Sequence, residues 1–230
     1  ARAHGFSALV LLLMLAPATA HAETQPQNES LKMRLVKHAQ QYLPDAEEKA
    51  SILSRIERRE ENYDPEVHLV KSFVRATSNR YHSDMVGVWV HPLRTNASYA
   101  GDLLDSGAPK YRERAFRVIR TVINSQDQDE TSKTYGIWPY NWEEPLEEMK
   151  KPDWNWADFI GVQLLEIYLK HYEALPDDLK AEMQQSLIHA ARSIQRRDVK
   201  PTYTNIAVMG TLVTFLTADL FDLPDLKGYA

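Results

Sequence analysis

The sequence of 230 residues contains no cysteine, which excludes disulfides, thiolate nucleophiles and cysteine-ligated metal sites. It also lacks a surplus of basic side chains, since 27 lysines and arginines stand against 32 aspartates and glutamates. A protein that neutralises phosphates needs such a surplus, so nucleic acid is not expected as the main partner. The remaining composition, 43% hydrophobic and 26% charged, is ordinary for a globular protein and excludes wholesale disorder.

The N-terminal residues have the pattern of a secretory signal peptide. Arg2 precedes an apolar run from Ala8 to Leu15, and small residues then lead to Ala20-His21-Ala22, a typical cleavage site. The run is too short to span a bilayer, which takes about 20 residues. We therefore predict a signal peptide over residues 1–22, a polar tether over 23–30, and a periplasmic or extracellular mature protein outside the membrane.

Helical periodicity dominates the rest of the chain, because apolar residues recur at spacings of three and four positions. Asp45 and Glu48 have the form of a capping box. The pattern predicts helices near Leu31–Leu43, after Asp45, over Glu66–Ser78, after Pro109, and over Asn155–His171, Asp177–Gln195 and Thr204–Phe221. Alternation typical of strands is confined to Val86–Val90. We therefore predict an all-α fold.

The last two helices differ in the width of their apolar surface. Asp177–Gln195 has one apolar stripe, whereas Thr204–Phe221 has almost no polar face and should be buried nearly all round. A simple bundle makes every helix amphipathic, but a double ring needs an inner layer packed on both sides. We therefore predict that residues 31–230 form the N-terminal part of an incomplete (α/α) toroid of helix hairpins that continues past the last residue. The alternative is a helical solenoid, although no repeated motif marks one.

Four of the five tryptophans lie in one segment that is also rich in proline: Trp138, Trp142, Trp154 and Trp156. Proline at this density breaks helices, so much of the segment is expected to be an ordered loop. Indole faces suit the C–H face of a pyranose ring, and the neighbouring acids and amides could bind hydroxyl groups. The segment is therefore either a sugar-binding platform or an aromatic plug that closes the end of the fold.

The segment Pro152 to Gly161 resembles the Asn-Trp-Trp…Glu-Ile-Gly segment of the toroidal polysaccharide lyases, the hyaluronate and chondroitin lyase type. The stretch Pro201 to Asn205 resembles the Thr-Gly-Ala-Asn turn of the same family. The stretch from Tyr99 to Leu104 is similar to the first hairpins of heparinase-like and alginate-lyase-like toroids. The resemblance extends over about residues 90–221.

This resemblance implies a polysaccharide lyase that cleaves a uronate-containing glycan by β-elimination. Trp154, Asn155 and Trp156 would form the sugar-stacking patch, and Asn205 would neutralise the substrate carboxylate. The chain departs from the family in two ways: no arginine follows Asn205, and the catalytic histidine and tyrosine of the family have no counterpart up to the last residue.

Elementary chemistry is compatible with this reaction, which needs a group to neutralise the carboxylate, a base and an acid. Asn205 at a helix N-terminus could serve as the first, unless it merely caps the helix. Tyr203 could carry a proton, or it could be structural. His91 and Arg94, placed before an expected polar loop that contains Asn96, could reach a polyanionic sugar.

Two other functions stay open on the residues alone. A glycoside hydrolase on the same fold would need paired carboxylates, for which Asp158 at the start of a helix is the best candidate, although it could simply stabilise the helix dipole. A non-catalytic glycan-binding toroid would use the same platform without cutting the chain. No cofactor is expected, and the histidines lack the paired spacing of metal ligands.

Overall fold

The computed structural model describes residues 30–75 and 81–230. The predicted signal peptide and almost all of the predicted tether lie outside these ranges. Within them the fold is mostly helical, as predicted. Its helices are α1 (Leu31–Gln40), α2 (Ala46–Glu57), α3 (Leu93–Asp105), α4 (Pro109–Asn124), α5 (Asn155–Lys170), α6 (Asp177–Arg197), α7 (Thr204–Phe221) and α8 (Pro224–Tyr229).

Sequence signals explain where several of these helices begin. The predicted capping box is confirmed: Asp45 accepts a hydrogen bond from the backbone of Glu48, and the Glu48 side chain accepts one from the backbone of Asp45. Pro109 is the first residue of α4, where its missing N–H group is no loss. Acidic residues also fill the first turn of α6, where they favour the positive end of the helix dipole.

Two small antiparallel pairs of strands precede α3. They are β1 (Tyr63–Asp64) with β2 (Leu69–Val70), and β3 (Ser72–Phe73) with β4 (Trp89–Val90). The predicted helix over Glu66–Ser78 is therefore wrong. The side chain of Asn96 explains the difference, because it bonds both the N–H and the C=O of Val70, as a neighbouring strand would.

The helix α3 was not predicted, and the expectation of a polar loop around Asn96 is wrong. Asn96 is fully buried on the inner side of α3. The apolar residues that carry the helix were visible in the sequence, but Pro92 at its N-cap offers no capping side chain. The start signal that sequence reasoning depends on was therefore missing.

The helices pack in two layers. Among the later helices, α3 packs against α5 and α5 against α7, whereas α4 packs against α6. Consecutive helices also pack together, as in the pairs α3 with α4, α5 with α6 and α6 with α7. One layer therefore holds α3, α5 and α7, and a second layer holds α4 and α6.

The layer positions explain the burial of α7. Ten of its 18 residues are buried, against eight of 21 in α6, so the predicted order of burial is confirmed. Burial nearly all round is wrong, since Phe215 is 41% exposed. By length and composition alone, α7 is the one helix of the described ranges that could cross a membrane, although more than half of it is buried within the protein.

Candidate functional site

The aromatic segment forms a long connection between α4 and α5, which we call the aromatic loop (residues 125–154). Backbone hydrogen bonds of 3.0 Å from Leu93 to Tyr140 and from Trp142 to His91 fasten this loop to the start of α3. Arg94, in the first turn of α3, is thereby placed beside the loop.

Trp138 belongs to the core, which corrects the expectation that it lines a binding face. Its side chain is 0% exposed, and its indole nitrogen donates a 2.8 Å hydrogen bond to the carbonyl of Val122. A sugar has no access to this ring. For Trp138 the plug interpretation therefore holds.

Trp156 is half-buried at the margin of the core. Its ring is stacked on Tyr140 at a centroid distance of 3.9 Å, with the edge of Phe159 at 5.5 Å. Its indole nitrogen is buried and has no hydrogen-bond partner among the described residues. One face of Trp156 is thus already covered, which reduces the surface that it could offer to a sugar.

The guanidinium of Arg94 lies 3.8 Å from the ring centroid of Phe159 and 5.8 Å from that of Trp156. It forms no hydrogen bond and no ion pair with any side chain that the structure describes. Burial lowers the pKa of Arg94, an effect that Tyr140 and Asp153 oppose from farther away. A partly desolvated cation without a partner is a natural binding group for an anion.

A network of polar side chains lies next to Arg94. The hydroxyl of Tyr140 donates a 2.9 Å hydrogen bond to Asp153, which also accepts one from the backbone of Asn155. Nε2 of His82 lies 3.7 Å from the same carboxylate, and its Nδ1 is 2.8 Å from the carbonyl of Lys151. Because a carbonyl can only accept, Nδ1 of His82 carries a proton.

Burial and the carboxylate of Asp153 raise the pKa of Tyr140 far above its usual range, so that Tyr140 stays a hydroxyl donor. Tyr203, the N-cap residue of α7, also contributes to this rise electrostatically, less than burial and Asp153 do. We call the group formed by Arg94, Tyr140, Asp153, Trp156 and Tyr203 the Arg94 face.

Tyr203 and Asn205 are both exposed at the start of α7, Tyr203 by 46%. Tyr203, rather than Asn205, occupies the N-cap position and makes no capping hydrogen bond through its side chain. The side-chain amide of Asn205 makes no hydrogen bond to any described residue. The capping role that sequence reasoning left open for Asn205 is therefore not the one it has here.

In the described ranges, the side chain of Trp154 makes no hydrogen bond or ring contact with the side chains of the Arg94 face, whereas the backbone of Asn155 donates to Asp153 of that face. Trp154 is 37% exposed, and its indole nitrogen lies 3.4 Å from the carbonyl of Lys133. The side chain of Asn155 accepts a hydrogen bond from Arg197 at the end of α6. Asn155 is thus occupied in joining two helices.

Asp158 is buried one turn into α5, only 2% exposed. Burial raises its pKa to about 7, against an opposing effect of Arg197, whose Nη1 lies 3.9 Å away. Its Oδ1 has no partner among the described residues and faces Gly210, where an added Cβ would come within 2.9 Å. The carboxyl borders a cavity of about 190 Å³ between α6 and α7.

His91 belongs to a separate group. Its Nδ1 lies 2.5 Å from Oε1 of Glu143, and its backbone N–H donates to Oε2 of the same carboxylate at 3.0 Å. Trp142, which is largely exposed, packs edge-on against His91 at 6.3 Å. No hydrogen bond, ion pair or ring contact in the described ranges joins His91 to the side chains of the Arg94 face.

A protein-family model described as "Domain of unknown function (DUF8769)" matches residues 54–226, well over half of the chain. The chain belongs to this family. No curated protein and no solved structure matches it. The DUF8769 match extends over every residue that sequence reasoning placed in the site, from His91 to Asn205.

Several site residues of this DUF8769 member escaped sequence reasoning. Tyr140 and His82 come together with Asp153 only through the fold, and Arg197 lies 42 positions from its partner Asn155. The signal that could have found Tyr140 was its place between two prolines of the aromatic loop. Within the described ranges, no group of three or more acidic or histidine side chains could hold a metal ion.

Proposed function

We propose that this protein is a secreted polysaccharide lyase that cleaves a uronate-containing glycan by β-elimination at the Arg94 face. The observation that carries the proposal is the guanidinium of Arg94, which lies over the ring of Phe159 and has no hydrogen bond or ion pair with the side chains that the structure describes. An aromatic floor suits a sugar ring, and a free cation suits the carboxylate that a uronate carries. Secretion rests on the signal-peptide pattern of residues 1–22.

The packing of the helices supports a toroid as the scaffold. In an (α/α) toroid, inner helices contact inner helices and outer helices contact outer helices, with hairpins connecting the two layers. The contacts of α3 with α5 and α5 with α7, beside that of α4 with α6, follow this scheme. In such a toroid the N-termini of α5 and α7 would open on the same end, and both contribute residues to the Arg94 face.

The chemistry assigns one role to each side chain. Arg94, with the amide of Asn205 beside the positive end of α7, would bind the carboxylate and the negative charge that develops on it. Tyr203, as the proton carrier, would take the proton from C5 and pass it to the leaving oxygen, while the C4–O bond breaks and a C4=C5 double bond forms. Tyr140, with its raised pKa, would hold Asp153 in place through their hydrogen bond rather than act as the base.

One observation favours a glycoside hydrolase as the second candidate. A general acid that works near neutral pH needs a raised pKa, and the pKa of Asp158 is about 7. Its burial counts against it, since a sugar would have to reach a side chain that is only 2% exposed. Tyr203, the proton carrier proposed for the lyase, is more accessible to a sugar than Asp158, the acid that a hydrolase would use.

The deciding experiment is digestion of uronate and neutral polysaccharides by the full-length protein. An unsaturated product that absorbs ultraviolet light supports the lyase. New reducing ends without that absorbance identify a hydrolase and refute the lyase. Binding without either product identifies a non-catalytic glycan-binding protein.

A further inference from the structure

A pocket of about 350 Å³ lies where the aromatic loop meets the N-terminus of α5 and the end of α6. We call it the basic pocket, and its walls are formed by Lys133, Tyr135, Trp154, Ser193, Arg196 and Arg197.

Three of these six residues are cations, and none of the other three is acidic. Lys133 forms no ion pair or hydrogen bond through its side chain in the described ranges. Arg196 lies 4.3 Å from the ring centroid of Tyr135 and donates to the carbonyl of Glu130 at 3.0 Å, so it is positioned without being neutralised. Within 4 Å of the three cations, the described carboxylates contribute Asp158 alone, near Arg197.

The remaining walls suit a sugar. Trp154 presents an indole that is 37% exposed, and Ser193, itself 3% exposed, lies at the bottom of the pocket. The loop approaches α6 closely because Gly136 lacks a side chain: an added Cβ would lie 2.2 Å from the carbonyl oxygen of His189. This close approach brings Lys133 and Tyr135 opposite Arg196.

We propose that the basic pocket is a second subsite, which binds the carboxylate or sulfate group of an acidic sugar whose ring stacks on Trp154. The proposal rests on the proposed function, because it adds a neighbouring unit of the same acidic glycan. Cations beside an exposed indole match such a sugar, since the anion is bound by charge and the ring by stacking. A neutral sugar would gain only the stacking.

The test measures binding by calorimetry with the full-length protein and three oligosaccharides of equal length: a uronate, a sulfated sugar without carboxylate, and a neutral sugar. Two variants remove parts of the pocket, Lys133→Met and Trp154→Ala. Lys110→Met is the matched control, because it removes the same charge from an exposed position. Lys110 lies at the start of α4, whereas the aromatic loop with Lys133 follows the end of that helix. Lys133→Met should fold normally, since its side chain has no hydrogen bond or ion pair to lose among the residues that the structure describes, and thermal unfolding checks this.

We expect wild type and Lys110→Met to bind at least one acidic oligosaccharide more tightly than the neutral one. Lys133→Met should weaken that binding about tenfold and leave the neutral sugar unaffected, whereas Trp154→Ala should weaken all three. Preference for the uronate or for the sulfated probe identifies the anion. Unchanged affinity of Lys133→Met for both acidic probes, or equal binding of the neutral probe, overturns the proposal.

Binding and turnover separate this inference from the proposed function. A charge-dependent loss of binding in Lys133→Met without any unsaturated product from wild type keeps the subsite and refutes the lyase. Unsaturated product from wild type, together with unchanged affinities of Lys133→Met, supports the lyase and refutes the subsite.

Discussion

The indole nitrogen of Trp138 donates a 2.8 Å hydrogen bond to the carbonyl of Val122, with the ring completely buried. Trp138→Ala should therefore lower the free energy of unfolding by about 3–5 kcal/mol, because it opens a large cavity and removes a buried hydrogen bond. Trp154→Ala removes a ring that is 37% exposed and should cost about 1 kcal/mol. Urea denaturation of both variants measures the difference. Equal losses of unfolding free energy would contradict the assignment of Trp138 to the core and of Trp154 to the surface.

The approach of the aromatic loop to α6 depends on Gly136. Its φ of 78° is strained for any other residue, and a Cβ would collide with the carbonyl of His189. Gly87 has a similar φ of 74° but open space around it, so Gly87→Ala measures the backbone strain alone, about 1–2 kcal/mol.

Gly136→Ala should cost about 1–3 kcal/mol more than Gly87→Ala, because the collision adds to the strain. Urea denaturation of the two variants side by side gives this difference. If both lose the same stability, the loop does not lie as close to α6 as the structure places it.

The buried carboxyl of Asp158 makes stability depend on pH. Its pKa is about 7 in the folded protein and near the ordinary 3.8 in the unfolded chain. At a pH between these two pKa values, Asp158 is protonated in the folded state and ionised in the unfolded state. Stability therefore falls as pH rises from about 4 to about 7, by about 4 kcal/mol at most, and the contribution is constant above that.

Asp158→Asn should remove this contribution, since the amide resembles the protonated carboxyl and does not ionise. We expect the variant to be more stable than wild type at pH 8 and close to it at pH 4, as measured by urea denaturation across this range. Other titrating groups are common to both proteins and cancel in the difference. A difference that does not change with pH would show that Asp158 keeps an ordinary pKa.

Arg94 should matter for binding more than for folding. Arg94→Met removes the unpaired charge and keeps much of the apolar stem over Phe159, so affinity for a uronate oligosaccharide should fall about tenfold with little change in stability. Arg34→Met is the matched control, because Arg34 is exposed on α1, which packs near the opposite end of α5. If calorimetry gives the two variants equal affinities for the uronate oligosaccharide, Arg94 does not bind the sugar.

Much of the fold was predictable from the sequence because its signals are local. A capping box at Asp45, a proline at Pro109 and apolar stripes identify α2, α4, α6 and α7. The helix α3 lacks a capping side chain at Pro92, and the strand β2 depends on a tertiary contact. The side chain of Asn96 forms hydrogen bonds with the backbone of Val70, which is 26 positions away in the sequence. No local sequence pattern predicts this contact.

The candidate site was predictable only in part, for the same reason. Composition identified the aromatic loop, but only packing decides that Trp138 is buried and Trp154 exposed. The unpaired state of Arg94 depends on which carboxylates come near it in three dimensions. Sequence spacing contains no such information.

The initial rate at which ultraviolet absorbance rises, with the full-length protein acting on a uronate polymer, tests the central claim most directly. We predict a steady rise with wild type, and a rate about 100-fold lower with Tyr203→Phe, which loses the proton carrier but should still bind the polymer. New reducing ends without any rise in absorbance, or a Tyr203→Phe rate equal to that of wild type, would contradict β-elimination at the Arg94 face.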